Sequence, residues 1–144
     1  MAQPLILYVE RNYILYQFMR DVFDLAGWKV HHAEGGVIAQ KFLESREPYN
    51  LLLLDNDLPP STWAMSGLEL VRYARSLPSR KGLPILLYSI EDCAKEAKLA
   101  GADEFLRKPH DLHAMVDTIR RLLEEGAKKR VSNLRAARQD KVDD

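Results

Sequence analysis

The sequence predicts an α/β fold in which one parallel β-sheet carries helices on both faces. Short apolar runs, typical of strands that are buried on both faces, alternate along the chain with longer stretches of helical periodicity. This strand–helix unit recurs five times, and no second domain is indicated. Because crossovers between parallel strands are right-handed, five such units predict a doubly wound, five-stranded sheet.

The predicted strands are brief. Three of them are almost uninterrupted apolar runs, at residues 5–9 (LILYV), 51–54 (LLLL) and 84–88 (PILLY). Two weaker strands are predicted at residues 28–33 and 102–106. Runs of this length favour strands over helices, because helices in globular domains usually need ten residues or more.

Helical spacing follows every predicted strand. The apolar residues that share a helix face are, for the first three helices, Ile14, Phe18, Val22 and Leu25; Ile38 and Phe42; and Leu68, Val71 and Ala74. A shorter helix is predicted at residues 95–100. Gly27 and Gly101 give C-terminal stops to the first and fourth helices. The last helix has the clearest pattern, at Leu112, Met115, Val116, Ile119, Leu122 and Leu123.

The bulk composition is that of one folded domain with a short charged tail. Of the 144 residues, 47% are hydrophobic and 29% are charged, which suits a domain with a real core. We predict a domain at residues 1–125 and a tail at residues 126–144, either a helical extension or disordered. The tail carries six Lys/Arg against three Asp, net +3, so the rest of this neutral chain is net −3. That asymmetry is too small to indicate direct nucleic-acid binding.

Several classes of protein are disfavoured by the sequence. Cys93 is the only cysteine, so an internal disulfide is excluded and a reducing compartment fits. A signal peptide begins with a basic segment that is followed by a long apolar core. The opening MAQPLILYVERN has neither of these features. No apolar run has the length of a membrane span. We therefore expect a soluble, cytoplasmic protein.

The residues that follow the strands are the candidates for a functional site, because ligands of such sheets bind beyond the carboxyl ends of the strands. They are Glu10, Arg11, Asp55, Asp57, Ser89, Lys108 and Pro109. The preceding leucines would hold Asp55 rigidly at the exposed end of its strand. Taken singly, several have simpler explanations: Asp57 fits a turn, and Ser89 with Asp92 fits a capping box. Such local roles do not explain why acids, a hydroxyl and cations all follow successive strands.

Five motifs in their order resemble the receiver domains of two-component response regulators. They are ILYVERN, AEGGVIA, LLLLDNDLP followed by MSGLELV, LPILLYS, and GADEFLRKP, and the likeness covers about residues 4–125. It implies a flavodoxin-like (βα)5 fold. It also implies that Asp55 accepts a phosphoryl group from a histidine kinase or phosphotransfer protein, and that Mg²⁺ assists.

The resemblance assigns roles to further residues. Lys108 would pair with the phosphoryl group, Ser89 would donate a hydrogen bond to it, and Phe105 would be the aromatic switch. The Lys108–Pro109 bond would be cis. Signalling would proceed by docking of a downstream protein to the fourth helix, fifth strand and fifth helix.

The chain departs from the family at the acidic pair after the first strand. Glu10 matches the first acid, but Arg11 replaces the second, and a guanidinium cannot ligate Mg²⁺. With Glu10, Asp55 and Asp57 as the remaining ligands, we expect metal binding to be weak or absent. Asp57 could supply a replacement oxygen while Arg11 turns outward. Alternatively, Arg11 could pair with Asp55 or Asp57 and stand where the metal would be, or it could simply point into solvent.

A second departure is the loop PPSTWAM, residues 59–65, which is four residues longer than usual. Trp63 in this loop could cover the site or contact a partner, although packing is the simpler role for it.

The preferred interpretation is a non-enzymatic, single-domain response regulator that signals by protein docking. One alternative is a pseudo-receiver, a binding module regulated without phosphorylation, and Arg11 favours it. A weaker alternative is an aspartate-nucleophile phosphohydrolase, suggested by the DND sequence at residues 55–57. Whether the tail supports a homodimer stays open.

Overall fold

The computed structural model describes residues 3–57, 65–108 and 111–143. The strands are β1 (Leu5–Val9), β2 (Lys29–Ala33), β3 (Leu51–Asp55), β4 (Ile85–Ser89) and β5 (Glu104–Arg107). The helices are α1 (Tyr13–Leu25), α2 (Gly36–Glu44), α3 (Gly67–Ser76), α4 (Ala94–Ala100) and α5 (Leu112–Asp143), with a short 3₁₀ turn at Pro78–Arg80. The predicted alternation of strand and helix is confirmed, and each strand lies within two residues of its predicted bounds.

All five strands are parallel and lie in the order β2-β1-β3-β4-β5. The strand order therefore reverses between β1 and β3, which is the switch point where such sheets open a crevice at their carboxyl edge. Val9 pairs with Leu54 across this point, so the residues that follow them are neighbours. The predicted doubly wound fold is confirmed.

The four leucines of β3 are buried on both faces of the sheet. Leu52 and Leu54 belong to the apolar cluster under α2, α3 and α4, whereas Leu51 and Leu53 belong to the cluster under α1 and α5. All four are fully buried. Side chains alternate between the faces of a strand, so an uninterrupted apolar run is what a central strand with two covered faces requires.

The apolar face predicted for α1 is not its buried face. Ile14 is 79% exposed and Leu25 is 91% exposed, whereas Tyr16, Met19 and Phe23 are buried. Phe23 packs in a tilted contact with Tyr8 of β1, at 5.9 Å between ring centroids. The helix has two apolar stripes, and aromatic contacts with the sheet select the one that spacing alone did not identify.

The apolar face predicted for α2 is confirmed only for Phe42, which is partly buried and packs against the cluster under α2, α3 and α4. The buried residues of α2 are Gly36, Ala39 and Leu43, and Ile38 of the predicted face is 42% exposed. A Cβ atom at Gly36 would lie 2.8 Å from the backbone oxygen of Met65, so this helix approaches its neighbour too closely for a large side chain there. Gly36 and Ala39 are buried because they are small enough for this close contact, whereas helical spacing was judged from the large apolar residues.

The last helix continues past the predicted end of the domain. α5 runs without interruption to Asp143, and residues 127–139 are all exposed. Of the two states considered for the tail, the structure has the helical one. None of the helices in the described ranges combines the length and the apolar character that a membrane span requires.

Candidate functional site

Four of the predicted site residues meet at the carboxyl edge of the sheet. Asp55 ends β3 and Ser89 ends β4, while Glu10 and Lys108 directly follow β1 and β5. Glu10, Asp55 and Ser89 are each at most 4% exposed. An adjoining cleft of about 430 Å³ is lined by Glu10, Arg11, Asn12, Leu15, Asp55, Asp57 and Lys108. The residues that the sequence places after separate strands thus share one site.

Lys108 links two carboxylates. Its Nζ lies 3.0 Å from Oδ1 of Asp55 and 3.0 Å from Oδ2 of Asp57. Burial alone would lower the pKa of Lys108, but the hydrogen bonds to Asp57 and Asp55 outweigh it and raise that pKa. The ammonium therefore stays charged and brings a positive charge to both acids.

Burial dominates the ionisation of Asp55. It raises the pKa of Asp55 to about 6, with the negative charge of Glu10 acting in the same direction. The backbone N–H of Asp57, which donates to Oδ1 of Asp55 at 2.8 Å, and the ammonium of Lys108 oppose that rise. Near neutral pH Asp55 is thus a poorly solvated, mostly ionised carboxylate, which is a suitable state for a nucleophile.

This raised pKa predicts a pH-dependent gain in stability for Asp55→Asn. Folding favours the protonated form of Asp55, because its pKa is 3.8 in the unfolded chain and about 6 in the folded one. The stability that the protonated form gives is therefore fully present below pH 3.8 and is lost as the pH rises through about 6. Asn is neutral at every pH. At about pH 7.5 the free energy of unfolding of the variant should therefore be about 2 kcal/mol higher than that of the wild type. The advantage should shrink at about pH 4.5, which urea unfolding at both pH values measures.

Asp117→Asn is the matched control, because Asp117 is an exposed α5 carboxylate whose ion pair among the described residues is with Arg120, at 3.6 Å. Its free energy of unfolding should differ from that of the wild type by less than about 0.5 kcal/mol. If Asp55→Asn were no more stable than the wild type at about pH 7.5, burial would not be the cause of a raised pKa of Asp55.

Among the residues that the structure describes, three donors hold the Asp57 carboxylate. Its Oδ1 accepts from the Ser89 hydroxyl at 3.0 Å, and its Oδ2 accepts from the backbone N–H of Ile90 at 3.1 Å and from Lys108. Burial acts to raise the pKa of Asp57, but the hydrogen bonds from Lys108, Ser89 and Ile90 together lower it. Asp57 is therefore ionised and firmly placed.

The capping box considered for Ser89 does not form. α4 begins at Ala94 with Cys93 as its N-cap, the Cys93 side chain makes no capping hydrogen bond, and Oδ1 of Asp92 accepts from the backbone N–H of Ala94 at 3.4 Å. The Ser89 hydroxyl instead donates to Asp57 and accepts from the backbone N–H of Glu91 at 3.3 Å. The physical reason is that Asp57, which is remote in sequence, offers an ionised acceptor that a local cap cannot match.

Two tyrosines that the sequence reasoning did not single out hold Glu10. The hydroxyls of Tyr8 and Tyr88 both donate to Oε2 of Glu10, and its Oε1 accepts from the backbone N–H of Asn12 at 3.0 Å. Both tyrosines are about 1% exposed, and burial raises the pKa of each. The available signal was a tyrosine inside each of two otherwise aliphatic strands, since a buried phenol needs a polar partner.

Arg11 lines the cleft but is exposed. Within the part of the chain that the structure describes, no hydrogen bond or ion pair joins it to Asp55 or Asp57, and Lys108 pairs with both instead. The arrangement in which Arg11 replaces the metal as their partner is therefore not the one in this structure.

The residues present do not fit a Mg²⁺ ion held by three carboxylates. Among the described residues, no group of three or more His, Cys, Asp or Glu is arranged to hold a metal. Both oxygens of Glu10 already accept hydrogen bonds, and the ammonium of Lys108 lies between Asp55 and Asp57. The predicted set of Glu10, Asp55 and Asp57 does not converge as ligands, because a cation of the protein itself lies between two of them.

Phe105 lies on β5, half-buried, and packs against the cluster under α2, α3 and α4. It also lines a surface depression beside α4, with Ala94, Ala97 and Lys98. The loop residues 59–64, with Trp63, and the Lys108–Pro109 bond lie outside the described residues.

Comparisons with known proteins agree with this architecture. The sequence model of the family described as "Response regulator receiver domain" matches residues 6–120. Response regulator MprA of Mycobacterium ulcerans is 32% identical over 121 residues, which are 82% of this chain and 49% of that protein. The chain therefore spans about half the length of this relative.

Two solved structures are similar in fold. A CheY-like receiver domain protein from Methanospirillum hungatei superposes with a TM-score of 0.78 at 24% identity, over 89% of this chain and 99% of that one. The receiver domain of sensor histidine kinase PA1611 from Pseudomonas aeruginosa, with a magnesium ion in its active-site cleft, gives 0.73 at 23% identity. That match covers 85% of this chain and 99% of the other.

Proposed function

The chain belongs to the response regulator receiver domain family of two-component signalling, and on that premise we propose that Asp55 is its phosphoacceptor. One observation carries the proposal: Asp55 is buried at the end of β3, and the ammonium of Lys108 contacts it at 3.0 Å. Membership alone does not identify which residue reacts. The placement of an ionised carboxylate beside a fixed cation supports Asp55.

The reaction is a phosphoryl transfer from a phosphohistidine. An oxygen of Asp55 attacks phosphorus, an O–P bond forms, and the P–N bond breaks. The imidazole leaves with the electron pair of that bond and takes up a proton. Lys108 stabilises the negative charge on the phosphoryl oxygens, because its ammonium is fixed before the reaction begins.

Receiver domains typically bind Mg²⁺ at this site. Here the normal dependence on Mg²⁺ is weakened or absent, and two features support this. Arg11 stands where the family has an acid, and the described residues contain no metal-holding group of carboxylates.

The proposed donor is a histidine kinase or a phosphotransfer protein. Apolar side chains of α1 beside the cleft support docking there, because Ile14 is 79% exposed and Phe18 is 54% exposed. Output passes to a downstream protein through α4, β5 and α5, in the cytoplasm. The chain acts as a signalling module and not as an enzyme, and the exposed part of α5 is the element that a homodimer would use.

A pseudo-receiver is the second candidate. It is favoured by Arg11 and by the absence of a metal-holding group among the described residues. In that case the fold would bind its partner without any transfer to Asp55, and Lys108 and Ser89 would be structural.

Intact mass after incubation with phosphoramidate tests the proposal, with Mg²⁺ and with chelator. The wild type should gain one phosphoryl adduct, Asp55→Asn should gain none, and the wild-type adduct should persist in chelator. An adduct in Arg11→Asp with none in the wild type would instead establish the pseudo-receiver.

A further inference from the structure

The Asp57 side chain lies in a pocket of hydrogen-bond donors. The Ser89 hydroxyl comes from β4, the Ile90 N–H from the loop after it, and the Lys108 ammonium from the end of β5. All three lie 3.0 to 3.1 Å from its carboxylate oxygens. Side-chain and backbone donors from separate parts of the fold thus converge on one anion.

Such a set of donors is suited to any oxyanion. An ammonium, a hydroxyl and a backbone N–H are the groups that bind carboxylate and phosphoryl oxygens in proteins. The pocket also adjoins the nucleophile, since the same Nζ of Lys108 lies 3.0 Å from Oδ1 of Asp55. A phosphoryl group arriving at Asp55 would find these donors already in use.

We propose that the Asp57 carboxylate is an internal competitor for the oxyanion pocket of Asp55, and that it slows phosphoryl transfer until it is displaced. This inference rests on the proposed function, because it concerns the rate at which Asp55 is modified. The competitor is attached two residues from the nucleophile, so it acts at a high effective concentration. Phosphorylation then exchanges one anion in the pocket for another.

The geometry allows the exchange. The Asp57 side chain is 27% exposed, so it can leave towards solvent without opening the core. Its backbone N–H donates to Oδ1 of Asp55 at 2.8 Å, which holds the main chain in place while the side chain moves. The donors that remain after displacement are already oriented for an incoming oxyanion.

Two variants and one control isolate the carboxylate. Asp57→Asn keeps the shape of the side chain and removes its charge, and Asp57→Ala empties the pocket. Glu91→Gln removes one negative charge from the loop two residues after Ser89. Within the described ranges the Glu91 side chain has no hydrogen bond or ion pair, so this control changes the local charge and leaves the pocket filled.

The first measurement is the rate of labelling by phosphoramidate, followed by intact mass. Both Asp57 variants should label about tenfold faster than the wild type, which corresponds to losing one charge-assisted hydrogen bond from the competitor. Glu91→Gln should stay within about twofold of the wild type.

The second measurement does not depend on Asp55 chemistry. Inorganic phosphate is titrated into each protein, and the amide resonance of Ile90 is followed by NMR. In Asp57→Asn and Asp57→Ala the resonance should shift and saturate at about tenfold lower phosphate than in the wild type. The same spectra establish that each variant is folded.

The outcomes separate this inference from the proposed function. If phosphate saturates the Asp57 variants at lower concentration but no protein is labelled, the competitor is supported and Asp55 as phosphoacceptor is rejected. If the wild type is labelled as fast as both Asp57 variants, Asp55 remains supported as the phosphoacceptor. The proposal that the Asp57 carboxylate competes for the pocket is then overturned. Equal acceleration in Glu91→Gln would also overturn it, because loss of local charge would then explain the effect.

Discussion

Replacing Lys108 with methionine is expected to slow phosphoryl labelling of Asp55 by about a hundredfold. The ammonium contacts Asp55 and Asp57 at 3.0 Å each and is the cation that the structure fixes between them. Its loss removes a preorganised positive charge from the place where negative charge collects on the phosphoryl group. It also leaves two carboxylates facing one another, which raises the pKa of Asp55 further and reduces the reactive form. Phosphoramidate labelling followed by intact mass measures the change.

Lys95→Met is the matched control for that experiment. Lys95 is an exposed residue of α4, so its loss changes the net charge by the same amount without touching the site. Its labelling rate should remain within about twofold of the wild type. A Lys108→Met protein that labels at the rate of Lys95→Met would show that the lysine does not assist transfer.

Arg80→Met is expected to lower the free energy of unfolding by about 3 kcal/mol. Arg80 is 5% exposed and lies at the end of the 3₁₀ turn. Its guanidinium donates to the backbone carbonyls of Leu43, Glu47 and Ser45 at 2.8 to 3.0 Å, which ties down the end of α2 and the chain leading to β3. Methionine fills much of the space but leaves these carbonyls without their donor.

Urea unfolding of Arg80→Met and Arg72→Met makes the comparison. Arg72 is an exposed arginine of α3, and its replacement should change the free energy of unfolding by less than about 0.5 kcal/mol. If both variants lose the same amount, the buried hydrogen bonds of Arg80 do not stabilise the fold as described. Both proteins should keep the labelling rate of the wild type, because neither residue reaches the site.

The helix faces show where sequence patterns fail. Spacing predicted that Ile14 and Leu25 mark the apolar face of α1, yet Tyr16 and Phe23 are the buried residues. A helix with two apolar stripes has no local preference between them. The choice depends on the aromatic contacts of Tyr16 and Phe23 with Tyr8 of β1, which the local sequence of the helix does not encode.

The site shows the same division between what is local and what is not. The local sequence predicts that Asp55 ends a buried strand, because four leucines precede it directly. It does not predict that Tyr88 donates to Glu10, because the two residues are 78 positions apart in sequence. The capping box considered for Ser89 involved Asp92, three positions away, whereas the Ser89 hydroxyl donates to Asp57, 32 positions away.

The sequence by itself determined the strand–helix order, the strands to within two residues, and the edge of the sheet at which the acids and the lysine meet. It could do so because burial on two faces, helical periodicity and glycine stops act over a few neighbouring residues. Only the tertiary structure decided that Lys108 lies between Asp55 and Asp57, that Arg11 stays outside, and that the Asp57 carboxylate fills the donor pocket. Those outcomes depend on which charges and donors the folded sheet brings within 3 Å, and long-range pairing alone determines that.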